Sequence, residues 1–406
     1  MFRRAIVLSG GIALLTFALG TSVAGGALDR PSPTIGAPVG SQVVLSFGVP
    51  GGAGKFFQLD HRVPRRVTGI PGRVVYVATS NSDSYALTAA GQVWAWGAGG
   101  KGELGNGRRA AVSVAPVRVS FPAGVRIAAL ANPMPYDSGI AIAQDGSVWG
   151  WGYNSFHSLC LPKPVVLEPK RIPLSAVTLA SGAGGHALFY SRGRVYACGL
   201  GSHGELGNGS FAKQTRPVAV VDLPHLPVQA LVSSWQGSGA LLTDGRYYDW
   251  GYNALGQLGD GSRKDSSLPV RVRLPGRVTD VFQGGSTRHN GQSVAILANG
   301  SVWSWGSNWA GQLGDGTTTL STVPVRVDLP SGHLWTQVCS AGYSSYAIDA
   351  GGRLFAWGGN NYGQLGDGGH QRAVLTPVAV GLDLTAMSGT ATNVSALATA
   401  RFLPTR

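Results

Sequence analysis

The sequence has little charge, little cysteine and little methionine. Of its 406 residues 13% are charged, and it contains three Cys and three Met. Disordered chains combine high charge with few aromatic residues, whereas 9% of this chain is Phe, Trp or Tyr, so that class of protein is excluded. Beyond residue 24 no stretch approaches the roughly 20 apolar residues that a membrane-spanning helix needs, so no membrane span is expected there.

Motifs for metal, nucleotide or catalytic chemistry are also missing. The eight His form no His-x-x-x-His pair, and there is no Cys-x-x-Cys. The many Gly-x-Gly patterns lack the Lys-Ser/Thr of a phosphate-binding loop, and no Gly-x-Ser-x-Gly elbow precedes a predicted helix. We therefore predict no enzymatic activity, no cofactor and no metal site.

The N-terminus has the pattern of a secretory signal. Met1 to Arg4 is basic, Ile6 to Leu19 is apolar, and Ser22-Val23-Ala24 places small residues where signal peptidase cuts. We predict a signal peptide over residues 1–24, a Pro- and Gly-rich linker over 25–40, and a folded domain over 41–403. The protein is then secreted or on the cell surface, and an uncleaved N-terminal anchor is the alternative.

A repeat covers the predicted domain. A short strand ending in Trp-Gly or an equivalent pair recurs seven times, with a mean spacing near 52 residues. In five copies it is followed by Glu/Gln-Leu-Gly-Asp/Asn-Gly and then by a strand opened by Pro. With 62 Gly the chain favours strands and tight turns over long helices. Such units bury their faces only against neighbouring copies.

Three positions of the repeat are predicted to hold the structure together. The aromatic rings pack one copy on the next, the Leu fills the space below the loop, and the Asp or Asn closes the loop as an Asx turn. The residues concerned are Trp96, Trp151, Trp250, Trp305 and Trp357, with Leu104, Leu206, Leu258, Leu313 and Leu365.

The repeat resembles that of the regulator-of-chromosome-condensation family. The resemblance implies a seven-bladed β-propeller, an all-β fold, over nearly all of residues 41–403. The strand near Gln42 to Phe47 and the strand near Val394 to Ala398 then complete the last blade and close the ring. The second copy departs from the pattern, because it has His157 to Pro162 in place of the Leu-Gly-Asp-Gly loop.

The loops before the second strand of each copy differ most between copies. They contain residue types that are favoured at binding hot spots: Tyr136, Trp235, Arg288, His289 and Tyr343. We predict that they form a partner-binding face. A second set of loop residues follows Trp-Gly and equally suits packing between blades: Phe156, His157, Leu255, Trp309 and Tyr362.

Net charge supports a second hypothesis. The chain carries +13, and Arg118, Arg271 and Arg326 recur at one position of the repeat. An Arg-rich rim of this kind suits an anionic polymer or glycan at the cell surface. The alternative is coding bias, because there are 26 Arg and only 6 Lys.

The cysteines leave two alternatives open. Cys198 stands where most copies have Trp, so it is either a small buried apolar residue or the partner of Cys160 in the adjacent copy.

Taken together, these patterns favour a secreted, monomeric protein-interaction module whose protein partner is unknown. An anionic surface polymer is the alternative ligand, and no nucleic acid is expected. The resemblance also implies guanine-nucleotide exchange on a small GTPase, which the signal peptide disfavours. A hydrolase or lyase would need carboxylates that converge at one mouth of the ring.

Overall fold

The computed structural model describes residues 5–7, 42–48, 61–80, 82–131, 133–285, 291–361, 365–367, 371–389 and 394–399. These residues form strands joined by turns and loops. No helix among them is long and apolar enough to cross a membrane. The predicted linker and all of the predicted signal peptide except residues 5–7 lie outside the described residues.

Twenty-eight strands are present in the described residues. Three come first: β1 (Ala5–Val7), β2 (Gln42–Gly48) and β3 (His61–Val67). Sheet 1 contains β4 (Val74–Thr79), β5 (Asp83–Thr88), β6 (Val93–Gly99) and β7 (Ala110–Arg118). Sheet 2 contains β8 (Ile127–Leu130), β9 (Ser138–Ala143), β10 (Val148–Tyr153) and β11 (Val165–Arg171). Sheet 3 contains β12 (Val177–Ala183), β13 (His186–Ser191), β14 (Arg194–Gly199) and β15 (Gln214–Ala219).

The remaining strands form three more sheets. Sheet 4 contains β16 (Val228–Ser233), β17 (Gly237–Leu242), β18 (Tyr247–Gly251) and β19 (Ser266–Arg271). Sheet 5 contains β20 (Val278–Gly284), β21 (Gln292–Leu297), β22 (Val302–Gly306) and β23 (Ser321–Arg326). Sheet 6 has eight strands and contains β24 (Trp335–Ala341), β25 (Ser344–Asp349), β26 (Arg353–Gly359), β27 (Ala373–Gly389) and β28 (Val394–Thr399) together with β1, β2 and β3.

The sheets are arranged as a closed ring. Each is antiparallel and meets the next chiefly through its first strand, so β12, β16, β20 and β24 contact one another in turn. Strands β27 and β28 of sheet 6 contact β4 of sheet 1, which completes the circle. The fourth strands are the outermost, and Val114 of β7 is 90% exposed. This is the all-β propeller that the repeat predicts.

The expected count of seven blades is wrong, because the structure has six sheets. The physical reason lies in β27, a single strand of 17 residues. Its first part pairs with β26 as far as Asp383, and its second part, from Leu384, pairs with β28. The last full repeat and the terminal strands therefore share one sheet. The expected partnership of the N- and C-terminal strands is present, since β2 pairs with β28 from Gln42–Thr399 to Phe47–Val394.

Neighbouring sheets are clamped by a Trp that reaches back to the preceding loop. The indole Nε1 of Trp305 donates to the carbonyl oxygen of Gln257 at 2.8 Å, and Trp357 donates likewise to Gln312 at 2.9 Å. Trp151 and Trp250 make the same bond to Glu103 and Glu205. The indole of Trp96 has no hydrogen-bond partner among the described residues; residues 49–60, which precede its sheet, are outside them.

A glycine in each loop makes the clamp possible. Gly259 follows Leu258, has φ +63°, and a Cβ placed there would lie 2.9 Å from the ring of Trp305. Gly314 has the same relation to Trp357. Any side chain would push the indole away, so the Leu-Gly of the repeat is required by the aromatic ring of the next sheet. All five predicted Trp and all five predicted Leu are buried.

The Asp and Asn of the loop act in turns, as the sequence predicts. Asp260 accepts a hydrogen bond from the backbone N–H of Ser262 at 2.8 Å, and Asp315 accepts one from Thr317 at 3.0 Å. Asn253 supports the loop from inside, because its Oδ1 accepts from the N–H of Leu258 at 3.0 Å. Local loop chemistry therefore accounts for these polar residues.

A disulfide replaces the clamp between sheets 2 and 3. Cys160 and Cys198 are bonded, with their Cα atoms 5.6 Å apart. Cys198 pairs with Ala187 as Trp250 pairs with Ser238, so it occupies the Trp position. The alternative that Cys198 is simply a buried apolar residue is therefore wrong.

Its partner occupies the glycine position. Cys160 follows Leu159, whose N–H donates to Asn154 Oδ1 at 2.9 Å as Leu258 does to Asn253. Like the glycines, Cys160 has a positive φ, of 51°. The sulfur of Cys198 also lies 3.5 Å from the carbonyl oxygen of Ser158, the place that the indole nitrogen takes elsewhere. The ring–glycine contact of the other boundaries is thus exchanged for one covalent bond.

The glycine requirement can be tested with a matched pair of substitutions. Gly259→Ala is expected to destabilise the fold by about 2 kcal/mol more than Gly261→Ala, because overpacking costs about 1–3 kcal/mol. Gly261 is the control, since its φ is +88° and a Cβ placed there would lie 3.9 Å from its nearest neighbour, Val323. Urea unfolding of both variants gives the difference. Equal losses of stability would show that positive φ alone, and not the Trp305 contact, demands glycine.

Candidate binding face

The strand order gives the ring two different ends. The loops from first to second strand and from third to fourth strand lie at one end, here called the loop end. The hairpins from second to third strand and the connections between sheets lie at the other, here called the hairpin end. Gly146, Gly245 and Gly300 turn the tight hairpins with φ between 76° and 84°, as their Asp-Gly and Asn-Gly pairs predict.

Four aromatic side chains form a cluster at the loop end. The rings of Tyr136 and Trp235 meet edge to face, with centroids 5.0 Å apart. Tyr136 also contacts Tyr153 at 6.4 Å, and Tyr153 contacts Phe156 at 5.8 Å. All four side chains are half-buried. The cluster joins the loops of sheets 2 and 4 across sheet 3, so only the folded ring assembles it.

Backbone bonds hold these loops in place. The N–H of Tyr136 donates to the carbonyl oxygen of Gly184 at 3.0 Å, and the N–H of Trp235 donates to that of Gly285 at 3.3 Å. A Cβ at Gly184 would lie 2.1 Å from the carbonyl oxygen of Trp235. Each loop therefore rests on the loop of the next sheet, and the aromatic rings project from a backbone that is already ordered.

A lysine lies over the cluster and is tied to it by an ion pair. Lys101 Nζ is 4.3 Å from the centroid of the Tyr153 ring and 5.6 Å from that of Tyr136. It also lies 2.9 Å from the carboxylate of Asp137, whose side chain is only 7% exposed. Burial opposes the charged ammonium, but the Asp137 carboxylate outweighs it and the pKa of Lys101 is raised. The lysine stays cationic above two tyrosine rings.

Two further carboxyl groups lie beneath the lysine. Ser82 Oγ donates to Asp137 at 2.7 Å and lies 3.1 Å from Asp83, so one hydroxyl links the two acids. Burial, together with the charges of Glu103 and Asp137, raises the pKa of Asp83 well above its usual value. Burial likewise raises the pKa of Glu103. Within the described residues, no three His, Cys, Asp or Glu side chains are grouped so that they could hold a metal ion.

The five predicted binding residues have different outcomes. Tyr136 and Trp235 are brought together in the cluster. Tyr343 lies on sheet 6, is 39% exposed, and makes no ring contact with a described residue. Arg288 and His289 are outside the described residues. Of the second set, Phe156 joins the cluster and Trp309 is 64% exposed at the same end, while Tyr362 is not described.

Lys101, Asp137 and Tyr153 were not found by sequence reasoning. Tyr153 directly follows a Trp-Gly pair and Lys101 lies in the Gly-rich loop of the copy before, so in the sequence both look like ordinary repeat residues. Asp137 follows Tyr136 in a variable loop, and nothing in the sequence identifies Lys101 as its partner. The available signal was that Lys101 departs from the residues at the same loop position in the other copies, namely His203, Leu255 and Ala310.

The strand register places His186 opposite Gly199, the Gly that ends the third strand of its sheet. The residues at the same place in the other sheets are Asp83, Ser138, Gly237, Gln292 and Ser344. His186 is buried, its Nε2 lies 2.8 Å from Ser238 Oγ, and burial lowers its pKa to about 4.

This geometry defines a class of protein: a β-propeller of tandem repeats with a common clamp between sheets and divergent loops at one end. The chain belongs to the family of the regulator of chromosome condensation (RCC1) repeat, whose model matches residues 90–131, 192–241, 244–287, 299–348 and 351–396. The matched ranges include Trp96, Trp250, Trp305 and Trp357. The interval between the first two matches contains the atypical loop and Cys160.

Known proteins agree with this assignment. The ultraviolet-B receptor UVR8 of Arabidopsis thaliana is 28% identical over 332 residues, which are 75% of this chain and 74% of the receptor. The crystal structure of human WBSCR16 superposes with a TM-score of 0.74 at 18% identity and covers 97% of this chain and all of that one. The Saccharomyces cerevisiae Prp20p structure has a TM-score of 0.67 at 19% identity, covering 81% of this chain and 83% of that one. The two structures show the fold alone.

The buried histidine predicts a pH dependence of stability. With a folded pKa of about 4 against about 6.5 unfolded, the unfolded chain binds the extra proton first as the pH falls. The neutral, buried His186 therefore contributes its full share to the free energy of unfolding above about pH 6.5, and this share declines towards pH 4. Between pH 7 and pH 5 we expect the free energy of unfolding of the unaltered protein to fall by about 2 kcal/mol more than that of the His186→Gln variant. Denaturant titrations at both pH values measure this, and parallel losses in the two proteins would contradict it.

Proposed function

We propose that this protein is a secreted or cell-surface interaction module that binds a protein partner through its loop end. The observation that carries the proposal is the aromatic cluster of Tyr136, Tyr153, Phe156 and Trp235 beneath Lys101. The role is one of binding and not of catalysis. The relatives support it only in kind, because the Prp20p structure was reported with binding properties to Gsp1p and histones.

The chemistry of the cluster suits a protein surface. Tyr and Trp contribute large contact areas and polar edges, and they are over-represented among residues that dominate binding energy. Here they are half-buried, so a partner removes the remaining apolar area from water without the entropic cost of ordering the loops. The Lys101–Asp137 pair adds a charged rim that selects the orientation of the partner.

The disulfide also supports export by an independent route. Disulfides persist in oxidising compartments and are rare in the cytosol. The Cys160–Cys198 bond replaces a clamp that every other described sheet boundary from sheet 1 to sheet 6 makes without covalent chemistry. A chain that folds outside the cytosol would form this bond, which supports the signal peptide predicted over residues 1–24.

Partner binding is tested by comparing two tryptophans at the same end of the ring. Protein purified from culture supernatant is used to capture partners from the supernatant and the cell envelope, and the Kd of each captured protein is then measured. Trp235→Ala is expected to weaken a specific partner at least tenfold, as hot-spot residues do. Trp309→Ala is the control, because Trp309 is more exposed and outside the cluster.

The salt dependence completes this test. Retention at about 0.5 M salt is expected, since apolar contacts are not screened at that ionic strength. Binding that survives Trp235→Ala, or that Trp309→Ala removes equally, would place the partner elsewhere on the ring.

Export is tested on the protein recovered outside the cell. Its N-terminus is expected near residue 25, and alkylation after unfolding without reductant should label Cys339 alone, because the other two cysteines are bonded. Reduction should then expose all three thiols and destabilise the fold by about 3–4 kcal/mol. An N-terminus at Met1, or three reactive thiols before reduction, would contradict export with an intact disulfide.

A further inference from the structure

The hairpin end repeats one pair of residues around the ring. In four sheets an aromatic residue of the third strand lies directly opposite an arginine of the fourth strand. The pairs are Trp94 with Arg118, Trp149 with Arg171, Tyr248 with Arg271, and Trp303 with Arg326. Directly opposite residues of an antiparallel sheet project from the same face with their Cβ atoms close together. Each of these sheets therefore presents one ring beside one guanidinium.

The arginines of three of these pairs carry uncompensated charge. Arg118, Arg271 and Arg326 are exposed, and none forms an ion pair with a described residue. Two acids at the hairpin end are engaged elsewhere, since Asp244 binds Arg246 and Asp349 binds Arg353 and His333. The repeated arginines are thus free to bind an external anion, and their regular placement is a property of the ring.

Sheet 5 adds a groove to its pair. The groove has a volume of about 430 Å³ and lies between the hairpin at Asn299–Trp303 and the connection Arg326–Trp335. This is within the range of small-ligand sites, about 300–1,000 Å³. Trp303 lines it half-buried, with its indole nitrogen held by Ser301 Oγ at 2.9 Å. A smaller groove of about 270 Å³ lies at the same place in sheet 1 and is lined by Arg118 and Phe121.

A histidine completes the wall of the larger groove. His333 is stacked on Trp335 with ring centroids 5.0 Å apart, and its Nδ1 lies 2.8 Å from the carboxylate of Asp349. Arg353 binds the same carboxylate at 2.8 Å. The imidazole is therefore fixed in position, and the groove offers a flat ring, a guanidinium and an oriented heterocycle within one cavity.

We propose that the hairpin end binds an anionic polysaccharide, and that the groove of sheet 5 takes one carboxylated sugar unit. The C–H face of the sugar packs on Trp303, while Arg326 forms a bidentate bond with the carboxylate. The number of carboxylates for each sugar ring decides which class of ligand fits. A polyuronate presents one carboxylate for each sugar ring, which matches one guanidinium beside one aromatic ring on each of four sheets. Nucleic acid presents a denser row of charges, one at every phosphate, than one guanidinium on each of four sheets would match.

The test uses the purified chain and labelled polygalacturonate. Arg326→Ala is expected to weaken binding about tenfold, which is the loss of one charge-assisted hydrogen-bonded pair. Arg263→Ala is the matched control, because Arg263 is an exposed arginine at the loop end and its loss changes the net charge equally. Methyl-esterified polygalacturonate keeps the sugar rings but lacks free carboxylates. Its affinity for the unaltered protein should be no higher than the affinity of polygalacturonate for the Arg326→Ala variant.

A gain of function gives a second, independent readout. In sheet 3 the position opposite Tyr196 is Ala219, so this sheet lacks the arginine. Ala219→Arg is expected to tighten polygalacturonate binding several-fold by supplying a further ring–guanidinium pair.

Three outcomes of these binding measurements would overturn the proposal. Equal weakening by Arg326→Ala and Arg263→Ala would show attraction to net charge alone. Binding of single-stranded poly(dT) or polyphosphate as tight as that of polygalacturonate, or no binding of polygalacturonate at all, would also refute it. Trp235→Ala changes only the loop end and should leave polygalacturonate binding unaltered, so this result stands apart from that of the protein partner.

Discussion

The ring depends on the contact between a tryptophan of one sheet and the glycine and carbonyl of the loop before it. The indole of Trp305 lies over Gly259 and donates to the carbonyl oxygen of Gln257. Two needs are met at once, because a large apolar ring is buried and its one polar atom is satisfied. The glycine leaves room for the ring, while the bonds that Leu258 and Asp260 make order the loop that carries the carbonyl. Each sheet thereby fixes its neighbour, and the ring adds these contacts in sequence.

The boundary between sheets 2 and 3 shows that a link between the loop of one sheet and the third strand of the next is required, whereas the residues that form it can differ. Cys160 takes the glycine position and Cys198 the tryptophan position, and a covalent bond spans the gap. Leu159 and Asn154 retain their roles in the altered loop. The same two positions are changed together, since a tryptophan cannot pack on a residue with a side chain and a lone cysteine cannot fill the volume of an indole.

The two ends of the ring differ because antiparallel order separates their loops. At the loop end the connections vary in length and sequence, and Tyr136, Trp235 and Lys101 converge from three parts of the sequence. At the hairpin end the turns from second to third strand are tight and alike, and strand residues beside them recur around the circle, as Arg118 and Arg326 do. A unique cluster suits one specific partner, whereas a repeated pair suits a repetitive polymer.

Much of this protein was determined by its sequence. The repeat period, the buried Trp and Leu and the Asp-Gly hairpins follow from local chemistry that every copy must satisfy. The pairing of β2 with β28 follows from incomplete copies at the two termini. Tertiary structure alone decided the rest. The number of sheets depended on whether β27 is one strand or two. It continues without interruption from its pairing with β26 to its pairing with β28, and so joins the last repeat and the terminal strands in one sheet. The cluster around Lys101 was also undecided, because Lys101, Tyr136 and Trp235 come from the loops of three sheets, and only the packing of those sheets brings them together.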